Sequence, residues 1–176
     1  MSEPIHLSDY EELIREVLSS GGEFRLYPHG TSMLPLLRQG IDSVALRSLD
    51  RPPRKFDILF YKRRDGSYIL HRVKEGKAEG LTMWGDNHTM LEFGVTNDMI
   101  IGYAARIFRG DKELDCQSFR YRAYLWLWQF KAIRSLVLPV VYHLERRRIH
   151  KNAEDRSYQV RSYGRHHRFH RRSRRG

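Results

Sequence analysis

The chain has 176 residues, 40% of them hydrophobic and 12% aromatic, which is the composition of a folded domain rather than of a disordered protein. Its net charge of +11 is uneven, because residues 145–176 hold 12 Lys and Arg against 3 Asp and Glu. Any argument for nucleic-acid binding therefore concerns this basic tail alone. The single Cys116 excludes an internal disulfide framework, and no metal or cofactor is expected.

The first predicted element is a helix within residues 1–22. Ser8 and Glu11 have the spacing of a capping box, and the apolar residues between positions 13 and 18 form one helical face. Two glycines at 21–22 are expected to end the helix. The N-terminus is polar and acidic, so no signal peptide is expected.

Six short runs of alternating or β-branched residues follow, and turn-forming residues separate them. The runs are residues 23–27, 42–47, 57–63, 68–74, 81–84 and 99–108. No helical pattern lies between them. This arrangement predicts a mainly β protein, with a partly closed antiparallel β domain over residues 23–117.

One predicted hairpin places a histidine on an apolar face. Asp65-Gly66 favours a two-residue turn, which would set Phe60 opposite His71. Burial there would keep the imidazole neutral and able to accept a proton. A hydrogen-bonded core histidine is the alternative interpretation. The predicted face consists of His71, Ile58, Phe60, Ile69 and Val73.

Two further segments carry groups that could act with this histidine. Ser32 lies in the turn HGTSMLPLL, residues 29–37, and is either a nucleophile or an ordinary turn serine, since a hydroxyl needs a nearby base to become nucleophilic. Asp86 follows a predicted strand and either binds its local backbone or orients the histidine, as a buried carboxylate does in hydrolase triads.

Five short motifs follow one another along the chain: residues 30–35 (GTSMLP), 57–60 (DILF), 69–73 (ILHRV), 85–87 (GDN) and 101–103 (IGY). Together, and in this order, they resemble the signal peptidase I family and its self-cleaving, LexA-like repressor relatives. The resemblance covers roughly residues 24–108. Bacterial signal peptidases and the repressors have a lysine base where this chain has histidine. The chain thus looks like the endoplasmic-reticulum and archaeal type, which uses a Ser–His pair.

The resemblance implies a signal-peptidase/LexA-like β domain and assigns roles to residues. Ser32 would be the nucleophile, His71 the general base and Asp86 the family's aspartate. Glu92 stands where histidine-type members have a second aspartate. Gly30, two residues before the nucleophile, stands where many members have a hydroxyl residue that helps to bind the oxyanion. The substrate-binding residues implied are Gly30, Thr31, Met33 and Pro35.

The C-terminal part is predicted to be a helical segment, residues 118–148, followed by a disordered basic tail, residues 149–176. Pro139 is expected to kink or split the helix. Its aromatic and basic residues indicate either packing on the β domain or contact of residues 120–150 with an anionic membrane surface. Uncharged runs here are shorter than the roughly 20 residues of a membrane span. A cytoplasmic, peripheral location is expected.

The leading hypothesis is a serine endopeptidase that cleaves a leader or precursor peptide. A non-catalytic peptide-binding module of the same fold is the alternative. A self-cleaving regulator would need a pair of DNA-binding helices and a lysine base, and residues 1–22 supply one helix. The basic tail is typical of a solvated interaction segment, so no specific nucleic-acid partner is expected.

Overall fold

The structure is a computed structural model that describes residues 10–88 and 90–148. The predicted capping residue Ser8 and the predicted basic tail, residues 149–176, lie outside the described residues. The chain divides into two compact units, Met1–Leu138 and Pro139–Gly176. The sheet and the candidate site lie in the first unit.

Helix α1 spans Glu11–Ser19 and packs its apolar face against the sheet through the buried Ile14 and Leu18. It ends as predicted: Gly21 takes a φ of 81° and donates its N–H to the carbonyl of Leu18 at 3.1 Å. Only glycine adopts that left-handed conformation at little cost, so the helix stops there.

Eight strands form one antiparallel sheet. They are β1 (Phe24–Leu26), β2 (Ser43–Arg47), β3 (Ile58–Lys62), β4 (Tyr68–Lys77), β5 (Gly80–Trp84), β6 (Glu92–Val95), β7 (Ile100–Arg109) and β8 (Lys112–Glu113). The order is β1-β2-β7-β3-β4-β5-β6, with β8 paired to β7. The mainly antiparallel β fold is confirmed, and the sheet is not closed into a barrel. All six predicted strands form, whereas β6 and β8 were not predicted.

The β3–β4 hairpin differs from the prediction in its loop. Arg63 donates its N–H to the carbonyl of Ser67 at 2.8 Å, so the loop has three residues, 64–66, rather than two. Gly66 has a φ of 87°, and Asp65 accepts the N–H of Ser67 at 2.8 Å. A three-residue loop with glycine in the left-handed region is the second common way to close a hairpin.

The extra loop residue shifts the register by one. Leu59 lies opposite His71, so the predicted pairing of Phe60 with His71 is wrong. Because side chains alternate along a strand, His71 shares its face with Leu59 and Tyr61 rather than with Ile58 and Phe60. The histidine is buried as predicted, but it has different neighbours.

The two faces of the sheet pack into separate apolar clusters. One contains Ile14, Leu18, Met33, Leu37, Val44, Leu46, Ile58, Phe60, Leu70, Ile107 and Tyr121. The other contains Leu59, Tyr61, Val73, Leu81, Met83 and Val95. Both faces of β3 and β4 are therefore covered, which explains why every residue from Ile58 to Tyr61 is buried.

The C-terminal segment is helical as predicted, and it has an interruption that was not predicted. Helix α2 spans Phe119–Leu127, and the hydroxyl of Ser118 accepts the N–H of Tyr121 at 3.3 Å as its cap. The break falls at residues 128–130, and residues 131–148 are helical, including the position of Pro139. Trp128 donates its indole N–H to the carbonyl of Asp86 at 2.8 Å, which anchors the chain where α2 ends.

The aromatic residues of this segment are divided between core and solvent. Tyr121 and Trp128 are buried, whereas Phe119, Trp126 and Phe130 are exposed. Within residues 10–88 and 90–148, no helix is long and apolar enough to cross a membrane.

Candidate active site

The turn that carries Ser32 is held by the apolar side chains that follow the serine. Met33 and Leu37 are buried in the core, and the N–H of Leu37 donates to the carbonyl of Met33 at 2.9 Å. The Leu34–Pro35 peptide bond is cis. Ser32 itself is only partly buried. The side chain of Ser32 is therefore partly accessible to solvent, while the residues that follow it anchor the turn in the core.

The turn is tied to the segment after β5 by two hydrogen bonds from one residue. Asn87 donates its backbone N–H to the carbonyl of Ser32 at 2.7 Å, and its side-chain amide to the carbonyl of Thr31 at 3.0 Å. The predicted GDN motif therefore acts on the serine turn through its asparagine. This contact was not predicted.

Gly85 is where the serine turn and His71 meet. A Cβ at Gly85 would lie 2.7 Å from the carbonyl oxygen of Ser32 and 3.0 Å from Nε2 of His71. The two atoms are therefore no farther apart than the sum of those distances. A third contact, at 3.1 Å, would be with Nδ1 of His88. Glycine is required at this position because no side chain fits between these groups.

The other imidazole nitrogen faces a phenol and a carboxylate. The hydroxyl of Tyr61 lies 3.4 Å from Nδ1 of His71, and Oε2 of Glu92 lies 3.6 Å from the same nitrogen. Tyr61 donates its O–H to Glu92 at 2.7 Å, which leaves the phenol oxygen to accept a hydrogen bond from the N–H of Nδ1. This network favours the tautomer protonated on Nδ1, so the lone pair of His71 lies on Nε2, toward Gly85.

The surroundings of His71 keep it neutral. Its side chain is 5% exposed, and burial, together with the neighbouring His88, lowers its pKa from 6.5 to about 4. Glu92 acts in the opposite direction on this pKa, because its negative charge favours the imidazolium. The histidine is thus a free base at neutral pH, and a carboxylate is in place to stabilise its protonated form.

Glu92 is held ionised at this position by two donors. Arg63 binds both carboxylate oxygens at 2.6 Å, and Tyr61 adds its hydroxyl. Although burial alone would raise the pKa of Glu92, these donors lower it. An ionised glutamate thus lies 3.6 Å from Nδ1 of His71, at the sequence position where the resemblance led us to expect an aspartate.

Asp86 has a different environment from the one that a histidine-orienting carboxylate would have. It is fully buried and accepts two hydrogen bonds from Arg72, at 2.9 and 2.8 Å, and one from the hydroxyl of Tyr124 at 2.8 Å. Within the described residues, the carboxylate contacting His71 is Glu92 rather than Asp86. The pair of Asp86 and Arg72 joins β4 to the segment after β5 and to α2.

A cavity of about 530 Å³ opens beside the serine. Its lining is mainly apolar and includes Ser32, Leu26, Phe60 and Leu70. Two of the four residues expected to bind substrate, Gly30 and Met33, belong to this lining, whereas Thr31 and Pro35 do not. A site of this size and apolarity accommodates side chains of a bound peptide.

The serine and the histidine are close but not hydrogen-bonded. Among the described residues, no hydrogen bond joins the hydroxyl of Ser32 to either ring nitrogen of His71. Such bonds are often long or unformed without substrate. The backbone N–H of Ser32 remains the nearest candidate donor for an oxyanion, since Gly30 supplies no hydroxyl.

Sequence reasoning missed Tyr61, Arg63 and His88 at this site. The register error hid Tyr61, because the predicted pairing assigned it to the face opposite His71. Arg63 could have been considered from the sequence, because a cationic residue at the end of a strand can pair with a nearby carboxylate, as it does here with Glu92. Among residues 10–88 and 90–148, no group of His, Cys, Asp and Glu could hold a metal ion.

The chain was compared with family models, with curated proteins and with solved structures, and none of them matches it.

Proposed function

We propose that the chain is a serine endopeptidase of the signal-peptidase type, in which Ser32 is the nucleophile and His71 the general base. The observation that carries this proposal is the position of a buried imidazole, whose Nε2 lies, like the carbonyl oxygen of Ser32, within 3.0 Å of where a Cβ at Gly85 would be. The open antiparallel sheet and the order of the motifs are compatible with the signal-peptidase/LexA-like fold.

The reaction follows from this geometry. The hydroxyl of Ser32 attacks a peptide carbonyl while His71 Nε2 takes its proton, and the negative oxygen of the tetrahedral intermediate accepts the backbone N–H of Ser32. His71 then gives the proton to the leaving amine, and an acyl-enzyme forms. A water molecule then attacks the ester carbonyl while His71 takes its proton, and His71 returns this proton to the oxygen of Ser32 as the ester bond breaks and the carboxylate product leaves. Tyr61 and Glu92 stabilise the imidazolium of His71 during both the formation and the hydrolysis of the acyl-enzyme.

The substrate proposed is a leader or precursor peptide that lies extended past the serine. The apolar cavity beside Ser32 favours peptides with apolar or small side chains next to the cleaved bond. One observation favours the alternative, a peptide-binding module without turnover: the hydroxyl of Ser32 is not hydrogen-bonded to His71. A self-cleaving regulator remains the least supported function because the base is histidine.

Precursor peptides incubated with the protein and analysed by mass spectrometry test both functions. The wild type should produce two fragments, whereas Ser32→Ala and His71→Ala should leave the peptide intact. His143→Ala is the matched control, because His143 is exposed and lies outside the compact unit that holds the site. Peptide binding without fragments in the wild type would support the binding module instead.

We also propose that the C-terminal segment contacts an anionic membrane surface. Trp126 and Phe130 are exposed, and their rings pack edge to face with centroids 5.0 Å apart. Exposed aromatic rings favour the headgroup layer of a bilayer. Each nearby Lys or Arg adds about 1 kcal/mol of attraction to anionic lipid.

A further inference from the structure

A second cavity, of about 490 Å³, lies beside Trp84 at the end of β5. It shares no lining residue with the cavity at Ser32. Four residues of its lining are cationic: Lys55, Lys74, Lys131 and Arg134. One carboxylate, Glu75, also belongs to the lining. The cavity is therefore strongly positive.

Arg134 is the unusual member of this group. Its side chain is buried, with the residue 5% exposed, yet its Nε and Nη1 have no hydrogen-bond partner. The guanidinium carbon lies 4.5 Å from the centre of the Trp84 ring. The indole N–H of Trp84 is also buried and without a partner. Three donor nitrogens from two neighbouring side chains thus lack acceptors, although buried donors normally find one.

The nearby carboxylates do not neutralise Arg134. Asp86 favours its charged form from a distance, but Arg72 and a tyrosine hydroxyl already occupy both oxygens of that carboxylate. Glu75 is half-exposed and pairs with Lys77 at 3.2 Å. Burial accordingly lowers the pKa of Arg134. A buried cation without a counter-ion is costly, which indicates that an acceptor is missing.

We propose that this cavity binds a phosphate group through the free N–H groups of Arg134 and Trp84. A guanidinium presents its donors in a plane that matches phosphate oxygens, and the ammonium groups of Lys55, Lys74 and Lys131 supply the remaining positive charge. The tryptophan ring holds the guanidinium from one side, which pre-organises it for the anion.

The cavity is larger than a single phosphate ion needs, so the phosphate can carry an organic substituent. Two sources share this chemistry: the headgroup of an anionic phospholipid and a phosphate compound free in solution. The exposed Phe130 lies in sequence between Gln129 and Lys131, both of which line the cavity. A lipid headgroup would therefore reach the site from the same segment that carries the exposed aromatic rings.

The first arm of the test measures thermal unfolding during titration with inorganic phosphate at constant ionic strength. Phosphate should raise the Tm of the wild type, and once the site is saturated the Tm should rise with the logarithm of the phosphate concentration. The shift should disappear in Arg134→Met and weaken in Trp84→Phe, which keeps the ring and removes the N–H. Arg120→Met, which removes an equally positive but exposed side chain, should behave like the wild type.

Folding does not confound this comparison. Removing a buried unpaired charge should leave the Tm of Arg134→Met without phosphate equal to that of the wild type or higher. Phosphate also stabilises proteins generally by exclusion from their surface, and this contribution should be the same in all four proteins. Only the difference between Arg134→Met and Arg120→Met reports on the site.

The second arm measures co-sedimentation with phosphatidylcholine vesicles that contain or lack phosphatidic acid. Binding that requires phosphatidic acid and is lost in Arg134→Met identifies a lipid headgroup as the source. A phosphate-dependent Tm shift with vesicle binding that is independent of Arg134 identifies a soluble phosphate compound. If neither arm depends on Arg134, the proposal is overturned.

Discussion

Replacing Gly85 by alanine tests the contact between the serine turn and the histidine with a single methyl group. The added Cβ would lie 2.7 Å from the carbonyl oxygen of Ser32, which is closer than real Cβ contacts, and 3.0 Å from His71 Nε2, which is tight enough that the imidazole would have to shift by a few tenths of an ångström. The carbonyl cannot easily retreat, because the N–H of Asn87 holds it at 2.7 Å. The serine turn and the imidazole must therefore move apart.

The expected size follows from this crowding. Overpacking of a fixed site costs about 1–3 kcal/mol of stability. For a chain of this length each kcal/mol lowers the Tm by about 2–4 °C. A displacement of about 1 Å between reacting groups reduces the rate by roughly 100-fold. Gly85→Ala should thus lose most of its peptide cleavage while it remains folded at room temperature.

Gly76→Ala is the matched control for this change. Gly76 lies in β4, has no positive φ, and its added Cβ would meet only Leu81 Cδ2, at an ordinary 3.6 Å. We expect cleavage by this variant at the wild-type rate, measured by mass spectrometry on the same peptide and accompanied by thermal unfolding of both variants. Wild-type cleavage by Gly85→Ala would refute the proposed arrangement of serine and histidine.

The remaining predictions concern protonation, the two carboxylates and the membrane. Because the pKa of His71 is lowered to about 4, cleavage should rise as the pH passes that value and the neutral base forms, and should then level off; a rate that keeps climbing into the alkaline range where lysine titrates contradicts a histidine base. Asp86→Asn should cost about 3–5 kcal/mol in urea unfolding, because it leaves a buried arginine without its counter-ion. Glu92→Gln should lower cleavage and shift its pH profile to still lower pH, since the imidazolium loses its negative neighbour; a profile unchanged in Glu92→Gln argues against that role. Trp126→Ser with Phe130→Ser should weaken co-sedimentation with phosphatidylglycerol vesicles without changing the Tm, and unchanged binding would leave both rings without a membrane role.

Much of the fold could be predicted from the spacing of apolar residues and from turn-forming residues, because alternating apolar residues and glycine turns are local signals in the sequence. Six strands and the end of α1 at Gly21 are examples. Strand β6 was missed because it has four residues with Gly94 among them, so neither length nor propensity identifies it. The helical segment does not split at Pro139, one of the two outcomes expected there; the interruption at residues 128–130 was missed because it occurs where Trp128 binds the backbone of another segment, and such tertiary anchoring has no local signature.

The candidate site could be predicted only in part for the same reason. The motifs identified Ser32 and His71, and Glu92 was included through its position after the GDN motif. Two features could not be predicted, because both depend on the register across three strands. They are the pairing of Asp86 with Arg72, and the position of the Tyr61 hydroxyl between His71 and Glu92. A hairpin loop longer by one residue reverses which side chains share a face, and the sequence DG is compatible with either loop.

Reaction with a serine-directed fluorophosphonate, followed by mass spectrometry of the digested protein, tests the central claim most directly. The reagent forms a covalent adduct only with a hydroxyl that a neighbouring base activates. The proposed mechanism predicts one adduct, on the peptide that contains Ser32, and its loss in both Ser32→Ala and His71→Ala. An unmodified Ser32 in the folded wild-type protein, or an adduct that forms equally well in His71→Ala, would contradict it.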